Sequence, residues 1–186
     1  GMPGERRWIK LSLKLLADIG IVGLPNAGKS SLLAALTRAH PKIAAYPFTT
    51  LHPNLGVALL SGGREIILAD LPGLIADAHT GAGLGIQFLK HVERTRLLLH
   101  VVDVSGHEAA DARQAYDLVS RELKAFGSVI AKLPKIIVFN KIDLIDSKQL
   151  AAVKKCFSRV TKNVAISAAG RMGLPDLLKA IDQRLK

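Results

Sequence analysis

Apolar and polar positions alternate through Ile9, Leu11, Leu13 and Leu15, with Lys10, Ser12 and Lys14 between them, the period of a half-buried strand. The apolar run Ile19-Gly20-Ile21-Val22 then predicts a fully buried strand, and a glycine-rich turn after it opens a helical stretch over 30–37. Residues 40–54 are polar, contain prolines and show no period, so they read as a long loop. Two short apolar runs, 55–60 and 65–69, flank Ser61-Gly62-Gly63, the signal of an antiparallel hairpin. From there strand and helix patterns alternate: strand 97–102, helix 108–126, strand 135–139, helix 147–157, strand 163–166 and a closing helix over 174–185. Repeated βα units imply an α/β fold: a mostly parallel six-stranded sheet with one antiparallel strand and helices on both faces. Connections should be right-handed, and a ligand should sit beyond the carboxyl ends of the strands. With no internal repeat or linker, 15–186 reads as one domain, and 1–14 as a leading strand or the tail of a preceding domain.

One of those strand-to-helix turns carries a complete chemical pattern. Gly23-Leu24-Pro25-Asn26-Ala27-Gly28-Lys29-Ser30 matches G-x-x-x-x-G-K-[ST] in the context that motif requires, a strand before it and a helix after it. The glycines let successive N–H groups curl around a β-phosphate, and the helix N-terminus adds partial positive charge. Lys29 is placed to reach β- and γ-phosphate oxygens, and the Ser30 hydroxyl to ligate Mg²⁺, with Ser31 beside it in the binding set.

About forty residues on, Asp70-Leu71-Pro72-Gly73 closes the second hairpin strand. A carboxylate there can hold Mg²⁺ through a water, and the Gly73 N–H can meet a γ-phosphate oxygen. In the long loop, Tyr46-Pro47-Phe48-Thr49-Thr50 offers a hydroxyl to complete the Mg²⁺ shell, Thr50 as first choice and Thr49 as second; an ordinary surface turn is the plain alternative. This loop and the stretch Gly81-Ala82-Gly83-Leu84-Gly85 are expected to respond to the γ-phosphate.

Asn140-Lys141-Ile142-Asp143 follows an apolar strand. Guanine presents a ring N–H and an exocyclic amine side by side, and one carboxylate, Asp143, can accept both. Adenine would leave that carboxylate unpaired, a mismatch worth a discrimination on the order of 10⁴. The Lys141 stem can cover one face of the base, with Leu144 nearby, while Asn140 braces the loop. Ser167-Ala168-Ala169, after the next strand, can supply a backbone N–H to the guanine carbonyl oxygen. Each short match is weak alone; the order of all four at strand ends specifies guanine.

Two absences bear on rate. Leu74 follows Gly73, where many GTPases carry a water-orienting glutamine, and no arginine stands out as a built-in finger. Turnover is therefore expected nearer minutes to hours than seconds.

Composition narrows the setting. Hydrophobic residues make up 49% of 186, enough for one sizeable core, and no apolar run is long enough to span a bilayer. Cys156 is the single cysteine, so no disulfide framework or thiol-rich metal site is expected, and the six histidines lack metal-ligand spacing. His100 reads as a satisfied core residue, His91 as a helix-surface one, and Trp8 and Phe88 as packing residues. The net charge of +11 attracts polyanions, RNA among them, though the basic residues are spread along the chain.

With these residues placed, the chain resembles the GTPase domain of the Obg family, a translation-factor-like branch of P-loop GTPases. The resemblance is carried by Leu15-Leu16-Ala17-Asp18 leading into Gly23 to Ser30, by Tyr46-Pro47-Phe48-Thr49-Thr50-Leu51, and by Ala69-Asp70-Leu71-Pro72-Gly73-Leu74-Ile75. It continues through Phe88-Leu89-Lys90-His91-Val92-Glu93-Arg94-Thr95-Arg96. It implies a P-loop NTPase fold of the Ras-like G-domain kind, binding GTP and GDP with Mg²⁺. It further implies a glycine-rich domain ahead of residues 1–8, and a role in late assembly of the large ribosomal subunit in the cytoplasm. Binding of guanosine tetraphosphate would link it to the stringent response, and a potassium ion beside Asn26 would stand in for an arginine finger. One departure is visible: Ala76-Asp77-Ala78 stands where the family often reads Glu-Gly-Ala. The leading expectation is a slow GTPase switch, monomeric as this stretch of chain, docking on ribosomal RNA and protein. A guanine-nucleotide sensor with negligible turnover is the alternative, and an ATPase would require Asp143 not to select guanine.

Overall fold

A computed structural model describes residues 4, 17–37, 42–43, 54–71, 95–106, 108–158 and 162–185. Its elements in chain order are β1 (Ile19–Val22), α1 (Lys29–Leu36), β2 (Lys42–Ile43), β3 (Asn54–Leu59), β4 (Glu65–Asp70) and β5 (Leu97–Asp103). Then follow α2 (Ala109–Phe126), α3 (Ser128–Lys132), β6 (Lys135–Asn140), α4 (Ser147–Cys156), β7 (Asn163–Ala165) and α5 (Leu174–Leu185). The alternating segment around Ile9 to Leu15 lies outside the described residues.

The strands form one sheet in the order β2-β3-β4-β1-β5-β6-β7. β1 is parallel to both its neighbours, with Ile21 opposite Asp70 of β4 and Leu99 of β5. β5, β6 and β7 continue parallel, and β3 runs antiparallel to β4. The expected six strands with one antiparallel member are thus present, and the two-residue β2 adds a seventh at the edge of β3. Two residues carry no readable period, so β2 was invisible within the expected loop; it exists only because Asn54 and Leu55 lie beside it. Between β3 and β4 the chain turns through Ser61–Gly63, where Gly62 and Gly63 take φ of 82° and 80°, a left-handed pair open to glycine.

β1, β5 and β6 are buried on both faces, which is why they read as continuous apolar runs. Ile19, Ile21, Leu97, Leu99, Ile136 and Val138 pack on α1 through Leu32 and Leu33, and on α5 through Leu177 and Ile181. The intervening residues point the other way: Val22 and Leu98 meet Val119 and Leu123 of α2 and Ile130 of α3, while Ile137 and Phe139 meet Val153 and Phe157. α3 was not expected; five residues after Gly127 cannot show a helical period. The start of α4 is a reciprocal capping box, readable in the sequence as Asp146 three residues before Gln149. The Gln149 N–H donates to Asp146 at 2.7 Å, and the Asp146 N–H donates back at 2.9 Å. No helix among the described residues is long and apolar enough to cross a membrane.

His100 in β5 is fully buried, as its place in an apolar run suggests, and stacks on Tyr116 of α2 at 4.6 Å between ring centroids. The expectation of a satisfied core histidine fails: among the described residues neither ring nitrogen has a hydrogen-bond partner, since the facing helix presents the Tyr116 ring to it. Burial, with a smaller contribution from the positive charge of Lys135, lowers its pKa to about 3. Unfolded, a histidine takes its proton near pH 6.5. The unfolded chain thus binds the extra proton between those two values, and stability drains away as pH falls from about 6.5 toward the folded value. Replacing the ring while keeping the stack removes both the unpaired nitrogens and this proton linkage. His100→Phe is expected to raise stability by about 1–2 kcal/mol near pH 7.5, with a further gain of about 2 kcal/mol near pH 5. Urea midpoints of the two proteins at both pH values measure this; a constant difference would show that His100 does not carry the linkage.

Candidate functional site

The strand order switches at β1, flanked by β4 on one side and β5 on the other, and leaves a crevice beyond the carboxyl ends of the strands. The described motif residues lie at that end, on its loops, at the adjoining strand ends and on the first turn of α1. From β1 the chain runs through Gly23, Leu24, Pro25, Asn26 and Ala27 to Gly28, which caps α1. Gly28 has φ 89°, and a Cβ there would collide with the Asn140 side chain, so the position admits glycine on two grounds. Asn26, also left-handed at φ 62°, is exposed on the loop, as is Pro25.

Lys29 and Ser30 open α1, and Ser31 is exposed beside them. The Lys29 ammonium donates to the Leu24 carbonyl at 3.0 Å, across its own loop. Burial lowers its pKa, and the Asp70 carboxylate opposes that shift. The Ser30 hydroxyl donates to Asp70 Oδ2 at 2.6 Å. Asp70 is 2% exposed, and its Oδ1 has no hydrogen-bond partner among the described residues. A hydroxyl and a buried, half-satisfied carboxylate beside a helix N-terminus form a hard oxygen donor set, which fits Mg²⁺. Bound there, the ion would neutralise phosphate charge, with Ser30 and Asp70 holding it. Leu71, next to Asp70, is buried in the core rather than open to the cleft.

The loop of Lys141 and Asp143, expected to meet the base, grows out of β6. Asn140, 2% exposed, donates from Nδ2 to the Ala27 carbonyl at 2.9 Å, and its Oδ1 accepts the Ala168 N–H at 3.0 Å. One side chain thus ties the phosphate loop to the loop after β7. Its brace role was expected, but not its reach in both directions. Of the backbone N–H groups expected to serve the base, that of Ser167 donates to the Met172 carbonyl and that of Ala168 to Asn140, and Ala169 is the exposed residue next to them. Ser167 is fully buried, and its hydroxyl accepts the Gly170 N–H at 2.8 Å, which shapes that turn. Lys141 takes the left-handed conformation at φ 70°; Asp143 and Leu144, in the short turn that follows, are exposed. A cleft of about 310 Å³ is lined by Asn26, Gly28, Lys29, Ser30, Ser31 and Lys141, so the phosphate and base motifs open onto one space.

Phe48, Thr49, Thr50, Pro72, Gly73, Leu74 and the stretch 81–85 lie outside the described residues, as do His91, Trp8 and Phe88. Asp103 and Ser105, at the end of β5, were passed over in the sequence. An aspartate ending an apolar strand with a serine two residues on was the available signal, and it matches no phosphate or guanine motif.

Residues 18–141 match a family model described as 50S ribosome-binding GTPase. The chain is 49% identical over 183 residues to GTPase Obg of Persephonella marina, covering 97% of this chain and 54% of that protein. It is 51% identical to GTPase Obg of Aquifex aeolicus, covering 97% and 53%. The chain therefore spans about half the length of the curated relatives it matches. In fold it is similar to the G domain of the T. maritima FeoB iron transporter, with a TM-score of 0.63 at 23% identity over 90% of this chain and 98% of that one. It is also similar to Aquifex aeolicus Era bound to GDP·AlF4−, with a TM-score of 0.61 at 26% identity over 91% and 56%.

Proposed function

Since the chain belongs to the Obg family of P-loop GTPases, we propose that it binds GTP and GDP with Mg²⁺ and slowly hydrolyses the β–γ phosphoanhydride. The observation that carries this reading is the single cleft shared by the phosphate-binding residues of α1 and by Lys141 of the base loop. Amides and Lys29 hold the phosphates, Ser30 and Asp70 hold the metal, and Asp143 selects guanine. Thr50 and Gly73, placed by the motif pattern, are the groups that would register the γ-phosphate. A potassium ion beside Asn26 would supply positive charge where other GTPases use an arginine.

The switch acts, in this reading, on the large ribosomal subunit in the cytoplasm, in its late assembly and in step with the stringent response. The description of the matching family and the net charge of +11 support a ribosomal partner. A second reading, a sensor of guanine nucleotide or guanosine tetraphosphate with negligible turnover, draws on Leu74 in place of glutamine. Both are separated by GTP hydrolysis in potassium buffer with and without purified large subunits. Slow basal turnover that rises on adding subunits supports the switch; tight binding with no turnover under either condition supports the sensor; absence of guanine-nucleotide binding refutes both.

A further inference from the structure

Asp103 ends β5 in register with Asn140, the first residue of the base-reading loop. Its two carboxylate oxygens are differently occupied. Oδ1 accepts the Ser105 N–H at 2.8 Å and the Ser105 hydroxyl at 2.7 Å, which locks the carboxylate orientation. Oδ2 accepts the Lys141 ammonium in a short ion pair. Burial works against the charge, yet the hydrogen bonds from Lys141 and Ser105 win and hold this carboxyl below its ordinary range.

The pair is about one-third exposed on each side, so its Coulomb attraction adds little to the stability of the fold. Its placement says more. Lys141 lines the cleft from a left-handed backbone that ordinary residues adopt only under constraint. A lysine side chain has four rotatable bonds, and ordering them at the moment of binding lowers affinity; ordering them beforehand does not.

We propose that Asp103, locked in orientation by Ser105, is a positioning residue that anchors the Lys141 ammonium so that its aliphatic stem forms a preset wall against the guanine plane. This role rests on the guanine-nucleotide reading above. Because GDP and GTP share the base, an error at this wall affects both nucleotides equally, whereas a fault in a γ-phosphate contact would distinguish them.

The test measures release of fluorescent GDP and of a fluorescent non-hydrolysable GTP analogue from the wild-type chain, Asp103→Asn, Lys141→Ala and the double variant. Asp103→Asn keeps the side-chain shape and turns an amide toward the ammonium. It is expected to speed release of both nucleotides by the same factor, about five- to tenfold, while the melting temperature moves by less than about 2 °C. In the Lys141→Ala background the same substitution should add less than about twofold, since the anchored group is gone. Ser105→Ala, a gentler change, should act in the same direction by a smaller factor. Wild-type release from Asp103→Asn, full additivity with Lys141→Ala, or a loss confined to the triphosphate would each overturn the role of Asp103 alone. A wild-type chain that binds no guanine nucleotide would overturn the parent reading with it.

Discussion

Asp143→Asn is expected to turn the chain from a guanine binder into a xanthine binder. Guanine offers two adjacent donors, the ring N–H and the exocyclic amine, and a carboxylate accepts both. An asparagine accepts only through its oxygen and places an NH₂ where the amine must fit. Xanthine carries a carbonyl oxygen at that position, so the amide pairs with it donor to acceptor. Asp143 is exposed at the rim of the base loop, and the turn holding it is fixed by Lys141 and by Asn140 rather than by its own carboxylate. The substitution should therefore leave the fold intact. Affinity for GDP should fall by about 10³- to 10⁴-fold while xanthosine diphosphate binds instead. Competition of the two nucleotides against a fluorescent analogue measures it, and retained guanine preference would show that Asp143 does not read the base.

Lys29→Ala should remove most hydrolysis. Phosphoryl transfer depends on positioning and charge neutralisation, with little covalent chemistry left to the protein. Lys29 is a cation on the first turn of α1, held across the loop by the Leu24 carbonyl at 3.0 Å and facing the Asp70 carboxylate. Among the described residues its one hydrogen bond is to this backbone oxygen, so it can be exchanged for phosphate oxygens without breaking any core packing. Losing one such preorganised donor costs catalysis on the order of 10²- to 10³-fold. Single-turnover hydrolysis of GTP at saturating protein should show this drop. Lys29→Arg is not expected to rescue it, because a planar guanidinium cannot take the place of a compact ammonium inside a tight loop. A variant hydrolysing GTP within a few-fold of wild type would sink the assignment of Lys29.

Much of the scaffold was legible because burial on both faces writes strands as unbroken apolar runs. Ile19–Val22, Leu97–Asp103 and Lys135–Asn140 came out within a residue or so of their expected bounds. The misses share a cause. β2 and α3 are too short to repeat a strand or helix period, and they exist through contact with β3 and with the rest of the helical layer.

At the site, the sequence alone determined which residues are candidates for phosphate and which for the base. In these motifs the chemistry lies in consecutive residues: a glycine-permitted turn, a lysine and a hydroxyl at the first helical positions, an acid three residues past a strand-ending asparagine. What only the tertiary structure decided is how the pieces are held to one another. Ser30 meets Asp70 across 40 residues, Lys141 meets Asp103 across 38, and Asn140 meets Ala27 across 113. None of these separations has a period or a motif. Each follows from the strand order, which places the ends of β4, β1, β5 and β6 side by side. The orphaned nitrogens of His100 belong to the same class, since a buried group is satisfied or left wanting by whatever the opposite helix presents.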